Sequence, residues 1–197
     1  MNSDAMNAAD SARRAAPDLL VIRALGVADL PAYKALRDGM LHAFPDAFTS
    51  DAHTESRKPA EVYLPRLGLG HGGGGQFTLG AWDDGELLGA LTCERENRAK
   101  VRHIGHIVGM MVQAEAAGRG IGRALLAACI EQAQAADGIE LLTLSVTSSN
   151  RRAVRLYEGA GFVRYGTLKH AIKLDGVYHD KDLMSLTLSL PGSTVSR

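Results

Sequence analysis

The sequence predicts an α/β (α+β) fold, a mixed central sheet covered by helices. Three observations carry that expectation. A strand at 103–112 runs into a glycine-rich turn and then a long helix. A second strand follows at 139–146, and Asn150 is placed to cap the helix after it. Two pairs of strand-like stretches are joined at Asp84-Gly85 and Asp175-Gly176, dipeptides that favour tight hairpin turns.

In order, residues 1–17 are rich in Ala, Ser, Asn and Asp and are expected to form a disordered leader, with Met6 as a second candidate start. Leu19–Arg23 is strand-like. Asp29 can cap a helix that tolerates Pro31 in its first turn. Leu30, Tyr33, Leu36, Arg37, Met40 and Leu41 then follow helical spacing, and Phe44-Pro45-Asp46 stops it. A weaker helix is expected over about 53–66. Gly70 to Gly75 holds five glycines and His71, a flexible connection. Gln76–Trp82 and Glu86–Glu94 form the first hairpin, and Glu96–Arg102 is a charged loop. In the strand at 103–112, His106, Val108, Met110 and Val112 are expected on one face. A helix over 118–136 repeats Ile121, Leu125, Ala128 and Cys129 and ends at Gly138. Phe162–Lys173 and Val177–Leu188 form the last hairpin. The domain is expected over 18–190, with a loose tail from 191.

The 197 residues are 46% hydrophobic and 22% charged, with 22 basic and 22 acidic side chains. A net charge of zero gives no case for nucleic acid or an anionic membrane as partner. No apolar run reaches the length of a membrane span, and Arg13-Arg14 is not followed by an export-type apolar region. Two cysteines, Cys93 and Cys129, make no disulfide framework and suit a reducing cytoplasm.

Ala117-Gly118-Arg119-Gly120-Ile121-Gly122-Arg123 is a candidate anion site. The first N–H groups of a helix lack internal partners and point outward with the positive end of its dipole. Glycines at 118, 120 and 122 let a diphosphate approach that backbone, and Arg119 and Arg123 add positive charge. A helix start that needs glycine only for a tight turn is the plain alternative. A Walker loop is excluded because no Gly-Lys-Ser/Thr follows. The dinucleotide pattern fails at Arg123, where its third glycine belongs, and the next strand ends Ser-Val-Thr without an acid.

Asn150 to Phe162 adds specificity. Asn150, Ala153, Val154 and Tyr157 share one side of a helix, and an ordinary amphipathic helix with Leu156 and Tyr157 as core residues is the plain alternative. Asn150 is placed to cap the helix and to hydrogen-bond an amide-rich ligand, and Ala153 leaves room one turn above the Tyr157 phenol. The two motifs together point to a phosphorylated carrier gripped near a phenol, as acyl transfer from coenzyme A requires. The chain here resembles the GNAT superfamily of N-acetyltransferases. The family's Gln/Arg-x-x-Gly-x-Gly/Ala motif is matched in its glycines, with Ala117 in place of the usual first residue. The Asn-x-x-Ala-x-x-Leu-Tyr-x-x-x-Gly-Phe motif is met in full by 150–162. The resemblance implies a mainly antiparallel sheet, splayed between the strands at 103–112 and 139–146 and flanked by helices.

It further implies acetyl-CoA as co-substrate and a small-molecule or peptide amine as acceptor, attacked directly in a ternary complex. Residues 118–123 would hold the pyrophosphate, Met111 and Val112 the pantetheine arm by their backbone, and Asn150 would support that arm. Tyr157 would serve the leaving sulfur. Homodimers are common among similar proteins. For a base that neutralises the amine, Glu94 ranks first and His106 second, with Glu96 beside them; a solvated strand end and a core histidine are the plain alternatives. No metal is expected: His103 and His106 fall on opposite strand faces, and His170 and His179 have no cysteine nearby. Asp46, Asp51, Glu55 and Glu61 read as exposed charges that could draw a cationic amine. A non-catalytic acyl-CoA sensor and a dinucleotide-dependent oxidoreductase are the competing functions.

Overall fold

The computed structural model describes residues 20–69 and 74–189. The expected leader and tail, and most of the glycine run, lie outside the described residues. Seven strands form one sheet in the order β1-β2-β3-β4-β5-β7-β6. They are β1 (Val21–Ala24), β2 (Phe77–Asp83), β3 (Glu86–Arg95), β4 (Ile104–Val112), β5 (Leu141–Thr147), β6 (Val163–Leu174) and β7 (Val177–Thr187). Neighbours pair antiparallel except β4 and β5, which run parallel. The element order matches the one expected, and so does the mixed, mainly antiparallel sheet with helices on it.

Each face of the sheet carries its own core. Helices α3 (Ile121–Ala135) and α4 (Arg151–Gly159) cover one face. There Leu125, Cys129, Leu142, Leu144 and Met184 pack with Leu79, Leu91 and Ile107. Helix α1 (Leu30–Ala43) covers the other with a 3₁₀ segment, Ala60–Leu67, burying Tyr33, Leu36, Tyr63, Leu67 and Met111. A fully buried Leu, Ile or aromatic side chain contributes about 1.5–3 kcal/mol by leaving water, so both helical layers are held mainly by these stripes. Both Asp-Gly hairpins form as expected, with positive φ at Asp84, Gly85, Asp175 and Gly176.

Two expectations are corrected. The single helix over 53–66 is two pieces, α2 (Ala52–Ser56) and the 3₁₀ segment. Pro59 sits between them, lacks an N–H to donate and disfavours helical dihedrals at Lys58. The second concerns β4. Ala90 pairs with Met111 but Thr92 pairs with Val108, so β4 carries an extra residue, and Gly109 takes φ 59°. Such a bulge reverses the alternation beyond it. Met110 and Val112 therefore pack on the α3/α4 side and Met111 on the α1 side. His106 and Val108 alternate with Ile107, which packs against α3, so they face the α1 side. The four residues expected on one face are split between two.

Candidate functional site

The parallel pairing of β4 with β5 stops early. Register runs from Ile104↔Leu141 to Ile107↔Leu144, while β5 goes on pairing with β7 to Thr147. Beyond that point the two strands part, and the bulge at Gly109 turns β4 away. The β4 backbone from Val108 to Val112 borders this wedge. A cleft of about 940 Å³ opens there, lined by Met110, Val112, Gly120, Arg123, Asn150 and Ala153 among others.

The glycine turn meets the geometric demands of an anion site. Gly118 and Gly120 have φ 89° and 80°, and a Cβ at either would meet no atom within 4 Å. The space above them is open, and an L side chain would be strained in that conformation. Gly120 caps α3 without a side-chain hydrogen bond. The amides of Ile121, Gly122 and Arg123 thus open the helix toward the cleft. Gly122 has a packing role: a Cβ there would lie 3.2 Å from Met110 Cε and 3.4 Å from Leu156 Cδ2. Arg119 is drawn the other way, to Asp83 Oδ2 at 2.7 Å. Its guanidinium forms an ion pair with the β2–β3 turn.

On α4, Asn150 caps the helix by accepting from the Ala153 N–H at 3.1 Å. That bond uses the side-chain oxygen and leaves the amide nitrogen for the cleft that Asn150 lines. Arg152 and Arg155 line it as well, which the sequence reading missed. Their signal was present: Arg152, Ala153, Arg155 and Leu156 recur at helical spacing on the side facing the glycine turn. Tyr157 stands behind this wall. It is 6% exposed, with its ring edge-on to Phe162 at a centroid distance of 6.0 Å. Burial, with the nearby Cys129, drives the phenol pKa well up, so it keeps its proton and has one to donate.

The candidate bases sit in β4 and at the end of β3, on the α1 side of the sheet. Glu94 and His106 are direct partners on β3 and β4 and share a face. Glu94 is engaged by Arg66, whose Nε lies 3.1 Å from Oε1. His106 Nε2 lies 3.3 Å from Glu96 Oε1, and Nδ1 lies 2.6 Å from Thr143 Oγ1. The hydrogen bond with His106 is the main cause holding the Glu96 carboxyl below its ordinary range, with Arg98 adding to it. Thr143 was missed because its place beside His106 depends on strand register across 37 positions.

Of the early acids, Asp51 and Glu61 are exposed as expected, Asp46 is half-buried and Glu55 is buried. Glu55 is 8% exposed, accepts from Tyr63 Oη at 2.6 Å and sits 3.7 Å from Arg37 Nε. Burial and that carboxylate push the Tyr63 phenol up to about 12. Arg37 also donates to Ser50 Oγ at 2.8 Å, and Asp51 caps α2 through the Thr54 N–H. The network fixes the loop after α1, and Phe44, Asp46 and Phe48 of that loop line the cleft.

A family model for the GNAT acetyltransferases matches residues 36–162. The L-amino acid N-acetyltransferase AaaT of Escherichia coli is 27% identical over 156 residues, 78% of this chain and 90% of that protein. A mycothiol acetyltransferase of Paenarthrobacter aurescens is 37% identical over 117 residues, 59% of this chain and 33% of that protein. The chain thus spans about a third of the mycothiol acetyltransferases it matches. The crystal structure of a GNAT-family acetyltransferase from Streptococcus pneumoniae superposes with a TM-score of 0.74 at 28% identity, covering 85% of this chain and 99% of that one. The glycine turn, the cleft and most of the sheet fall inside the matched segment, and the chain belongs to the GNAT acetyltransferase family.

Proposed function

We propose that the protein is an N-acetyltransferase that passes the acetyl group of acetyl-CoA to a primary amine by direct attack in a ternary complex. The observation that carries this reading is one cleft that joins an uncapped helix N-terminus to an unpaired strand edge. A diphosphate fits the former, because the glycine turn is open and Arg123, Arg152 and Arg155 supply charge. An amide-bearing arm fits the latter, since Met111 and Val112 border the wedge on β4. Acetyl-CoA carries both groups and supplies the activated acetyl.

On this reading Ile121, Gly122 and Arg123 bind by their backbone amides, and Asn150 orients the arm. His106 takes precedence over Glu94 as base. Arg66 occupies the Glu94 carboxylate, whereas His106 has the polar pairing that a proton acceptor needs. Tyr157 protonates the leaving sulfur, reaching past the wall made by Ala153 and Leu156. The acceptor is a small-molecule or peptide amine, with amino acids the first to try in view of the relative AaaT. Cytoplasmic location and a homodimer belong to the same reading.

The burial of Tyr157 favours a second reading, an acyl-CoA-binding sensor without turnover. Thiol release across amine, amino-acid and peptide acceptors separates the two. Turnover with any acceptor supports the enzyme; acetyl-CoA binding without turnover supports the sensor. In an active enzyme, Tyr157→Phe should lower kcat by roughly 10- to 100-fold and leave the Kd for acetyl-CoA unchanged. An unaltered kcat would assign sulfur protonation to solvent.

A further inference from the structure

We infer that Thr143 is the port through which the acceptor's proton reaches His106, in a Thr143–His106–Glu96 relay laid across β5, β4 and the loop that leaves β3. The inference rests on the reading of His106 as the base. It goes beyond that reading by identifying which atom meets the substrate.

The relay sits where β4 and β5 last touch. His106 and Thr143 are direct partners in the parallel pair, one position before the register ends. Leu142 and Leu144 are buried against the α3/α4 layer, so Thr143 points to the opposite face, the one His106 occupies. Oγ1 and Nδ1 are 2.6 Å apart, and Glu96 Oε1 is 3.3 Å from Nε2.

Hydrogen-bond logic fixes the direction. An ionised carboxylate only accepts, so the imidazole nitrogen beside Glu96 carries a hydrogen. In a neutral imidazole the lone pair is then on Nδ1. Nδ1 is covered by the Thr143 hydroxyl, which donates to it. The His106 side chain is 40% exposed, but the hydrogen-bonding position of its Nδ1 lone pair is taken by the hydroxyl, so the relay delivers a substrate proton through Oγ1. The charged groups around this site are consistent with that. Just past β3, Glu96 has Arg98 behind it, at 3.3 Å, and on β3 Glu94 lies beside His106 with Arg66 of the 3₁₀ segment on its carboxylate. On the far side of Thr143 its β7 partner is Ser185, an uncharged residue.

The step balances. An N–H bond of the acceptor ammonium breaks and an O–H bond forms at Thr143. The original Thr143 O–H breaks and an Nδ1–H bond forms. The acceptor becomes a neutral amine, and the new imidazolium is paired with the Glu96 carboxylate. No oxidant or further reactant is needed. Thr143 contributes a hydroxyl at a fixed place, and Glu96 is a positioning residue that holds the ring in the required tautomer.

The test has two arms. Nitrogen NMR of the wild-type protein near neutral pH should show His106 protonated at Nε2 and bare at Nδ1, an outcome independent of any acceptor. An Nδ1–H tautomer overturns the relay. In the second arm, acetyl transfer to an acceptor from the amino-acid and amine panel is followed from pH 6 to 10. Thr143→Val, which keeps the shape and loses the hydroxyl, should lower kcat about 100-fold at neutral pH. Its deficit should shrink above the pKa of the acceptor amine, where no proton need be removed. Thr143→Ser should return kcat to within about threefold of wild type, and the Kd for acetyl-CoA should hold throughout. A Thr143→Val enzyme with wild-type kcat and pH profile, alongside a slow His106→Gln enzyme, overturns the relay while the base stands. A fast His106→Gln enzyme overturns the base itself and the relay with it.

Discussion

Gly120→Asp should weaken acetyl-CoA binding by at least about 100-fold, close to 3 kcal/mol, while the protein stays folded. The fold survives because a Cβ at 120 meets nothing within 4 Å, and because aspartate tolerates φ near 80° better than most residues. Binding suffers because the new carboxylate stands among the amides that open α3. Two unit charges 4 Å apart repel by about 4 kcal/mol near a protein surface, enough to produce the loss. Gly120→Ala adds only bulk and strain and should cost roughly tenfold. Calorimetric titration with acetyl-CoA, beside a thermal melt of each variant, measures both effects. Equal binding by wild type and Gly120→Asp would remove the diphosphate from this turn.

Asp182→Ala should be the most destabilising of the simple truncations near the site, at about 3 kcal/mol. Asp182 is 2% exposed on β7 and accepts from Ser148 Oγ and Thr167 Oγ1, each at 2.9 Å, with Arg164 Nη1 at 3.4 Å. It ties the turn before α4 to the last hairpin, so its loss also loosens Asn150. Burial alone would raise its pKa; the hydroxyl donors and Arg164 outweigh burial and leave it lowered. A carboxyl with a lowered folded pKa contributes stability that is present above its unfolded value near 4 and is lost as pH falls through the folded value. The stability gap between wild type and Asp182→Asn should therefore be widest near neutrality and narrow as the solution is acidified below about pH 4. Denaturant melts at pH 7 and pH 3 measure it, and a gap independent of pH would mean that Asp182 is not ionised in the fold.

The parts of this structure legible in the sequence are those set by local chemistry. Asp84-Gly85 and Asp175-Gly176 dictate their turns because the left-handed conformations needed suit those residues. Gly118 to Gly122 and Asn150 are legible because a helix start must deal with its own free amides. What depends on the partner across the sheet was hidden. Val108-Gly109-Met110 reads as plain alternation, and only pairing with β3 reveals the extra residue. Glu55 looked exposed because its burial rests on Arg37 and Tyr63, 18 and 8 positions away. Arg119 reads as an added positive charge beside the turn, and its ion pair with Asp83, 36 positions away, is invisible in the sequence. Tyr157 was read from its place in a motif, and the plain alternative from helix spacing, a core residue, describes its depth.

The extra residue at Gly109 acts as a phase shift between the two halves of β4. Upstream, odd-numbered positions look toward α3; downstream, even-numbered ones do. Were the strand to keep every residue and lose the bulge, plain alternation would roll Met111 out of its core and into the cleft while Met110 and Val112 swung toward α1; deleting Gly109 instead removes the bulge and leaves all three on their present faces. The spare residue is thus absorbed locally, and what its loss would remove is the bend that carries the end of β4 away from β5.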